Sequence, residues 1–304
     1  LKPINVMQNI TADQVENLKI DPDKCVEWVT HSFSLKNESQ LPAKMSVHPV
    51  GNDFFTTMPC LLPPSIGYFG VKIVSRILGR TPALKSDLLL YDSQSGKLLA
   101  LINCDWITAM RTGAVATLAI KTFRRSQAKK YSFIGLGSTA RATLLCLLSS
   151  SPDENFSIYL FRYKDQAEKF ISYFEGYRNV SFKVVDTIPE LVSGADVLVS
   201  CITDAQGLLV EDKNLFKRGV LVIPVHTRGF QNCDLFFDKV FADDTNHVKG
   251  FKNFSQFRSF NEISNVLLGK CSGRESDDER ILSYNIGLGL HDVYFAAKIY
   301  DILK

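Results

Sequence analysis

The chain has 304 residues, which suggests two domains and gives ample length for a sizeable core. With 45% apolar and 22% charged residues its composition is that of a soluble globular protein, and a net charge of +3 argues against nucleic acid as a principal partner. No signal peptide is visible and no apolar run approaches about 18 residues, so a membrane span is not expected. In chain order, residues 9–40 alternate apolar and polar at helical spacing, with Asp21-Pro22 as a helix start. Residues 43–102 change character. Short candidate strands at 54–58, 71–75, 87–91 and 97–102 lie between turn signals such as Gly51-Asn52-Asp53 and Pro63-Pro64, a mixed region with antiparallel flavour. Residues 105–123 predict a helix with Asp105 as its N-cap. The Arg124-Arg125 and Lys129-Lys130 pairs read as a solvated turn before the next strand.

From residue 131 strands and helices alternate. Segments 131–134, 156–161, 181–186, 196–201 and 219–225 read as strands, and 140–149, 165–176, 188–193 and 212–217 as helices. The unbroken apolar runs at 197–202 and 220–223 suit strands buried on both faces. The fold class is therefore α/β, with a Rossmann-type doubly wound parallel sheet and a mixed α+β region. The aromatic-rich stretch 251–260 is expected to pack on that sheet, and residues 287–304 read as a loop into an amphipathic helix.

The segment Gly135-Leu-Gly137-Ser138-Thr139-Ala140 lies between a predicted strand and a predicted helix, the context in which a glycine loop holds a dinucleotide pyrophosphate. Gly135 permits the tight turn, Gly137 lets the phosphates approach the backbone, and Ala140 is small enough for close helix–strand packing. The helix start offers free N–H groups to the anion. In such a unit an acid near the end of the second strand binds the ribose of NAD. Here Arg162 stands in that place, with Lys164 close behind, so NADP(H) is favoured over NAD(H). Thr203, after the fourth strand of this region, is expected to line the cofactor crevice, although a turn-forming hydroxyl would read the same way.

Seven cysteines, odd in number, widely spaced and without Cys-x-x-Cys, indicate reduced thiols and a cytoplasmic location. Five histidines show no paired ligand spacing, so no metal is expected.

Three further segments carry a resemblance. Gly70-Val-Lys72, Ile107-Thr-Ala-Met-Arg111-Thr112 and Gly287-Leu-Gly-Leu-His-Asp292, in this order around the glycine loop, resemble the ornithine cyclodeaminase and mu-crystallin family. The resemblance implies a substrate-binding and dimerisation domain (1–112, completed by 286–304), a dinucleotide-binding domain (113–285) and a homodimer. It implies chemistry at a carbon bearing an amine and a carboxylate, with an amino or imino acid as the small-molecule partner. Lys72 and Arg111 would hold the substrate carboxylate. Lys72 would also exchange a proton, since burial and Arg111 would lower its pKa. Lys44 falls where many members place a further cation, and Thr112 would reach a cofactor phosphate. Where the cyclodeaminase has an Asp after the fifth strand, the best alignment here gives His226. Imidazole exchanges protons near neutral pH but offers no fixed negative charge to a distal ammonium. The expected activity is therefore NAD(P)H-dependent reduction of an α-imino acid, or the reverse oxidation. Ornithine cyclodeamination and a weakly catalytic mu-crystallin-like role are the alternatives.

Overall fold

In the computed structural model, which describes residues 7–304, the chain divides into two units. One comprises the described residues up to Arg111 together with Leu288–Lys304; the other is Thr112–Gly287.

The first unit begins with β1 (Gln8–Ile10) and two helices with encoded starts. At α1 (Ala12–Asn17) Thr11 and Gln14 form a capping box. At α2 (Pro22–Ser34) Asp21 accepts a 3.0 Å bond from the Asp23 amide, and Pro22 takes the first helical position. A side-chain cap of this kind contributes about 1 kcal/mol. Residues 8–10 are thus a strand rather than the start of a helical stretch, too short a segment to show its own period. Strands β2 (Met45–Val47), β3 (Phe54–Leu61), β4 (Tyr68–Arg76), β5 (Leu84–Asp92) and β6 (Leu98–Asn103) complete a six-stranded sheet in the order β1-β6-β5-β4-β3-β2. Its neighbours run antiparallel except for the β1–β6 pair. Next comes α3 (Asp105–Phe123), with the bounds expected from sequence. Asp105 is not its N-cap. It lies inside the first turn, and its Oδ1 accepts from the Ser86 amide on β5 at 2.6 Å, a tertiary bond no local pattern announces.

The second unit contains β7 (Lys130–Ile134), α4 (Ser138–Ser149), β8 (Phe156–Phe161), α5 (Gln166–Tyr173), β9 (Val180–Val185), α6 (Ile188–Val192), β10 (Val197–Ser200) and β11 (Leu221–Pro224). It continues through β12 (Lys239–Ala242), α7 (Thr245–Val248), β13 (Phe260–Glu262), α8 (Ile263–Leu267) and β14 (Ile281–Tyr284). The strands form one eight-stranded sheet, β13-β12-β14-β11-β10-β7-β8-β9, in which every described pair is parallel. The chain winds from β7 outward to β9, then returns to β10 and winds the other way. The winding reverses between β7 and β10, where ligands of doubly wound sheets bind at the carboxyl ends of the strands.

Two expectations change. The helix read over 212–217 is a single 3₁₀ turn, Lys213–Leu215, because Phe216 turns extended and is fully buried. Strands β12, β13 and β14 were not foreseen, being only three or four residues long. The aromatic stretch packs as expected: Phe254, Phe257 and Phe260 contact one another, and Phe251 meets Tyr284 edge-on at 5.2 Å.

The last helix, α9 (Gly289–Leu303), belongs to the first unit, where it packs on β3, β4 and β5 and against α2. Trp28 meets Phe295 edge-on at 5.0 Å. A Cβ on Gly70 would lie 2.8 Å from the Val293 side chain, so glycine there lets α9 settle onto β4. No helix among the described residues is long and apolar enough to cross a membrane.

Candidate functional site

Each unit contributes one feature with chemical content. In the first it is a buried ion cluster. Gly70 and Lys72 alternate onto the same face of β4, the face on which α9 lies. Because Gly70 admits Val293, the preceding residue, Asp292, arrives beside Lys72. The Lys72 Nζ stands 2.9 Å from Asp292 Oδ2, and the Arg111 Nε donates to Asp292 Oδ1 at 2.9 Å. Lys72 is 1% exposed, Asp292 0% and Arg111 6%.

Taking such charges out of water is expensive unless they are paired. Burial, and then the Arg111 guanidinium, push the Lys72 ammonium below the ordinary lysine range, against the pull of Asp292. Burial alone would raise the Asp292 carboxyl, but Arg111 and Lys72 together hold it below the usual carboxylate range. Burial pushes the neighbouring Cys60 and Cys104 thiols up to about 12, so both stay neutral. The cluster thus sets one carboxylate between two basic side chains.

Sequence reasoning selected Lys72 and Arg111, which the structure brings together, and missed Asp292, which joins them. The available signal was its place at the end of the Gly287–Asp292 motif, as an acid in the first turn of the terminal helix. Lys44 lies exposed in the segment leading into β2, and Thr112 is buried on α3.

In the second unit the feature is the turn from β7 into α4. Gly135 has φ +80, and a Cβ there would lie 2.6 Å from the backbone of Cys201 and Ile202, just beyond β10. Only glycine fits so close to the winding reversal. Gly137 is the N-cap of α4 and has no side-chain cap, and a Cβ on it would meet nothing within 4 Å. Gly137 and Ser138 are exposed, and the positive end of a 12-residue helix begins there, its first N–H groups at Ser138, Thr139 and Ala140. Ala140 is fully buried. The Ser200 hydroxyl, ending β10, and the Asn285 amide nitrogen, just past β14, are buried without a hydrogen-bond partner among the described residues. An open cradle at a helix N-terminus and unsatisfied polar groups at the strand ends both fit a dinucleotide.

The remaining residues surround the same sheet edge. Arg162, just after β8, pairs with Asp186 at 2.6 Å and Glu168 at 2.9 Å, with about half its side chain exposed. These acids lie in the loop after β9 and on α5, separations from which sequence spacing predicts no pairing. Lys164 adopts φ +50 and places its Nζ 5.2 Å from the Tyr163 ring centre. Thr203 is exposed in the loop after β10. His226 is exposed in the turn after β11, where its carbonyl accepts from the Arg228 amide at 2.8 Å.

Known proteins resemble this chain over nearly its whole length. The chain is 27% identical over 310 residues to the alanine dehydrogenase of Archaeoglobus fulgidus, covering 96% of this chain and 94% of the relative. It is 25% identical to a Δ1-pyrroline-2-carboxylate reductase of Bacillus cereus, covering 96% and 95%. Among solved structures, an archaeal alanine dehydrogenase dimer with bound NAD superposes with a TM-score of 0.82 at 26% identity, over 97% of this chain and 95% of that one. A model of the ornithine cyclodeaminase/mu-crystallin family matches residues 5–304, and the chain belongs to that family.

Proposed function

We propose that the chain is a nicotinamide-dinucleotide-dependent oxidoreductase that reduces the C=N bond of an α-imino acid to an amine, or oxidises the amine in reverse. The buried Lys72–Asp292–Arg111 cluster is the observation that carries this reading. An imino acid brings a carboxylate to be held and a nitrogen to be protonated, and the cluster offers a guanidinium for the first and an amine of lowered pKa for the second. When bound, the dinucleotide supplies or accepts the hydride. The alanine dehydrogenase and pyrroline-carboxylate reductase relatives act on the same type of carbon.

The roles divide by residue. Arg111 binds the substrate carboxylate, with Lys44 as a second cation on the approach. Lys72 gives a proton to the imine nitrogen during reduction and takes it back during oxidation. His226, exposed at a strand end, exchanges protons with the substrate amine. Gly135, Gly137, Ser138, Thr139 and Ala140 cradle the pyrophosphate, helped by Thr112 and Thr203.

NADP(H) is favoured over NAD(H) because a guanidinium occupies the end of β8, with Lys164 close behind. A 2′-phosphate there would share Arg162 with Asp186 and Glu168. The protein acts as a homodimer. On the sheet face opposite Lys72, Met45, Val47, Phe55 and Ile73 are exposed and Phe69, Val71 and Leu89 half-exposed, an apolar surface for a second copy. The structurally similar archaeal alanine dehydrogenase is a dimer.

The test is oxidation of NADPH and NADH followed with a panel of cyclic α-imino acids and of 2-oxo acids mixed with amines. The reading expects turnover of at least one imino acid with formation of the amino acid. Dinucleotide binding without turnover across the panel would leave only a binding protein.

A further inference from the structure

We propose that Asp292 is a positioning residue for this reaction: its carboxylate is the fixed counter-charge that aims Lys72 and Arg111 and leaves their cluster one net positive charge, the match for one substrate carboxylate. The proposal rests on the function given above for Lys72 and Arg111. Each Asp292 oxygen has its own cation, Oδ2 with Lys72 and Oδ1 with Arg111, both at 2.9 Å. Lys72 comes from the sheet and Arg111 from α3, and Asp292 on α9 is the group that touches both.

Without Asp292 the Arg111 guanidinium would face the Lys72 amine in a buried region with no opposing charge, and burial and repulsion together would favour the neutral form of the lysine. The other titratable groups around the cluster do not replace it. Cys60 on β3 and Cys104 before α3 are neutral thiols, and His291, also on α9, bonds through Nδ1 to Ser32 on α2 at 2.7 Å. The carboxylate therefore has a task beyond holding the helix: it keeps a proton on Lys72 at the pH where an imine must be protonated. Buried at 0% exposure and held by both cations, it does not itself contact solvent.

The experiment follows the side-chain NMR signal of Lys72 against pH in the full-length protein, assigned by its loss in Lys72→Met. In Asp292→Asn the attraction that retains the proton is gone, and the midpoint falls by about one pH unit or more, a tenfold change in proton affinity. In Arg111→Gln the repulsion is gone and the midpoint rises. The second variant removes a like charge, so it reads the same electrostatics should Asp292→Asn fail to fold. Imine reduction in Asp292→Asn then fades at correspondingly lower pH. A Lys72 midpoint that stays within about 0.3 pH units of the parent in the folded variants overturns the proposal, leaving Asp292 a helix anchor. A parent protein that reduces no imino acid overturns the proposed reaction instead, while the Lys72 midpoints still decide the role of Asp292.

Discussion

The two units handle charge in opposite ways. In the first, three ionisable side chains lie buried between sheet and helices, and their geometry depends on a glycine, Gly70, that lets a helix come close. In the second, the glycine turn after β7 carries no ionised side chain and presents backbone N–H groups at a helix start. In the proposed function one region holds an anion with side-chain charges in a buried setting, and the other with backbone partial charges and shape. Substitutions should therefore act abruptly in the first through electrostatics, and in the second through space.

The largest effect is expected at Lys72. Replacing it with Met should lower imine reduction by about 10²–10⁴-fold, the usual contribution of a positioned acid–base group, with dinucleotide binding unchanged by fluorescence titration. Its pH dependence has a definite sign. The lowered pKa means that the protonated donor is lost at a pH below the roughly 10.4 of a free lysine, so reduction slows as pH rises through that value. Oxidation, which needs the neutral amine, accelerates over the same range. Opposite pH limbs measured in the two directions would support the assignment; parallel limbs would remove Lys72 from proton transfer.

Next comes Gly135. A side chain there meets backbone at 2.6 Å in a positive-φ conformation, so Gly135→Val should weaken dinucleotide binding by more than about tenfold by prising the β7 turn from the β10 loop. Unchanged binding would mean that the crevice lies elsewhere. Arg162→Asp should act more gently, shifting the ratio of NADPH to NADH use about tenfold towards NADH, the worth of one charge-assisted phosphate contact. An unmoved ratio would assign Arg162 only to Asp186 and Glu168. The smallest expected effect on chemistry is at the outer sheet face. Val47→Lys should shift sedimentation towards the monomer, and a parent protein that already sediments as a monomer would dismiss the dimer.

Much of this was legible in the sequence because the informative signals are local. Asp21-Pro22 starts a helix, α3 has its expected bounds, and the glycine loop stands between its strand and helix. What escaped depends on contacts distant along the chain. Asp105 looked like a cap but bonds Ser86 on β5, and Phe216 broke an expected helix by entering the core. Strands β12 to β14 are too short for periodicity to mark. At the site, Lys72, Arg111 and Asp292 all stand in recognisable motifs, but Asp292 is 181 residues from Arg111, and its pairing shows only through the return of α9.

The most direct measurement of the central claim uses a cyclic α-imino acid and a reduced dinucleotide carrying deuterium on the transferred position of its nicotinamide, with products read by mass spectrometry. The parent protein should yield the amino acid with one deuterium at the α-carbon, one oxidised dinucleotide per product, and Lys72→Met should yield little of either. Conversion of ornithine to proline and ammonia with no net consumption of dinucleotide, and no deuterated product from the imino acid, would contradict the account.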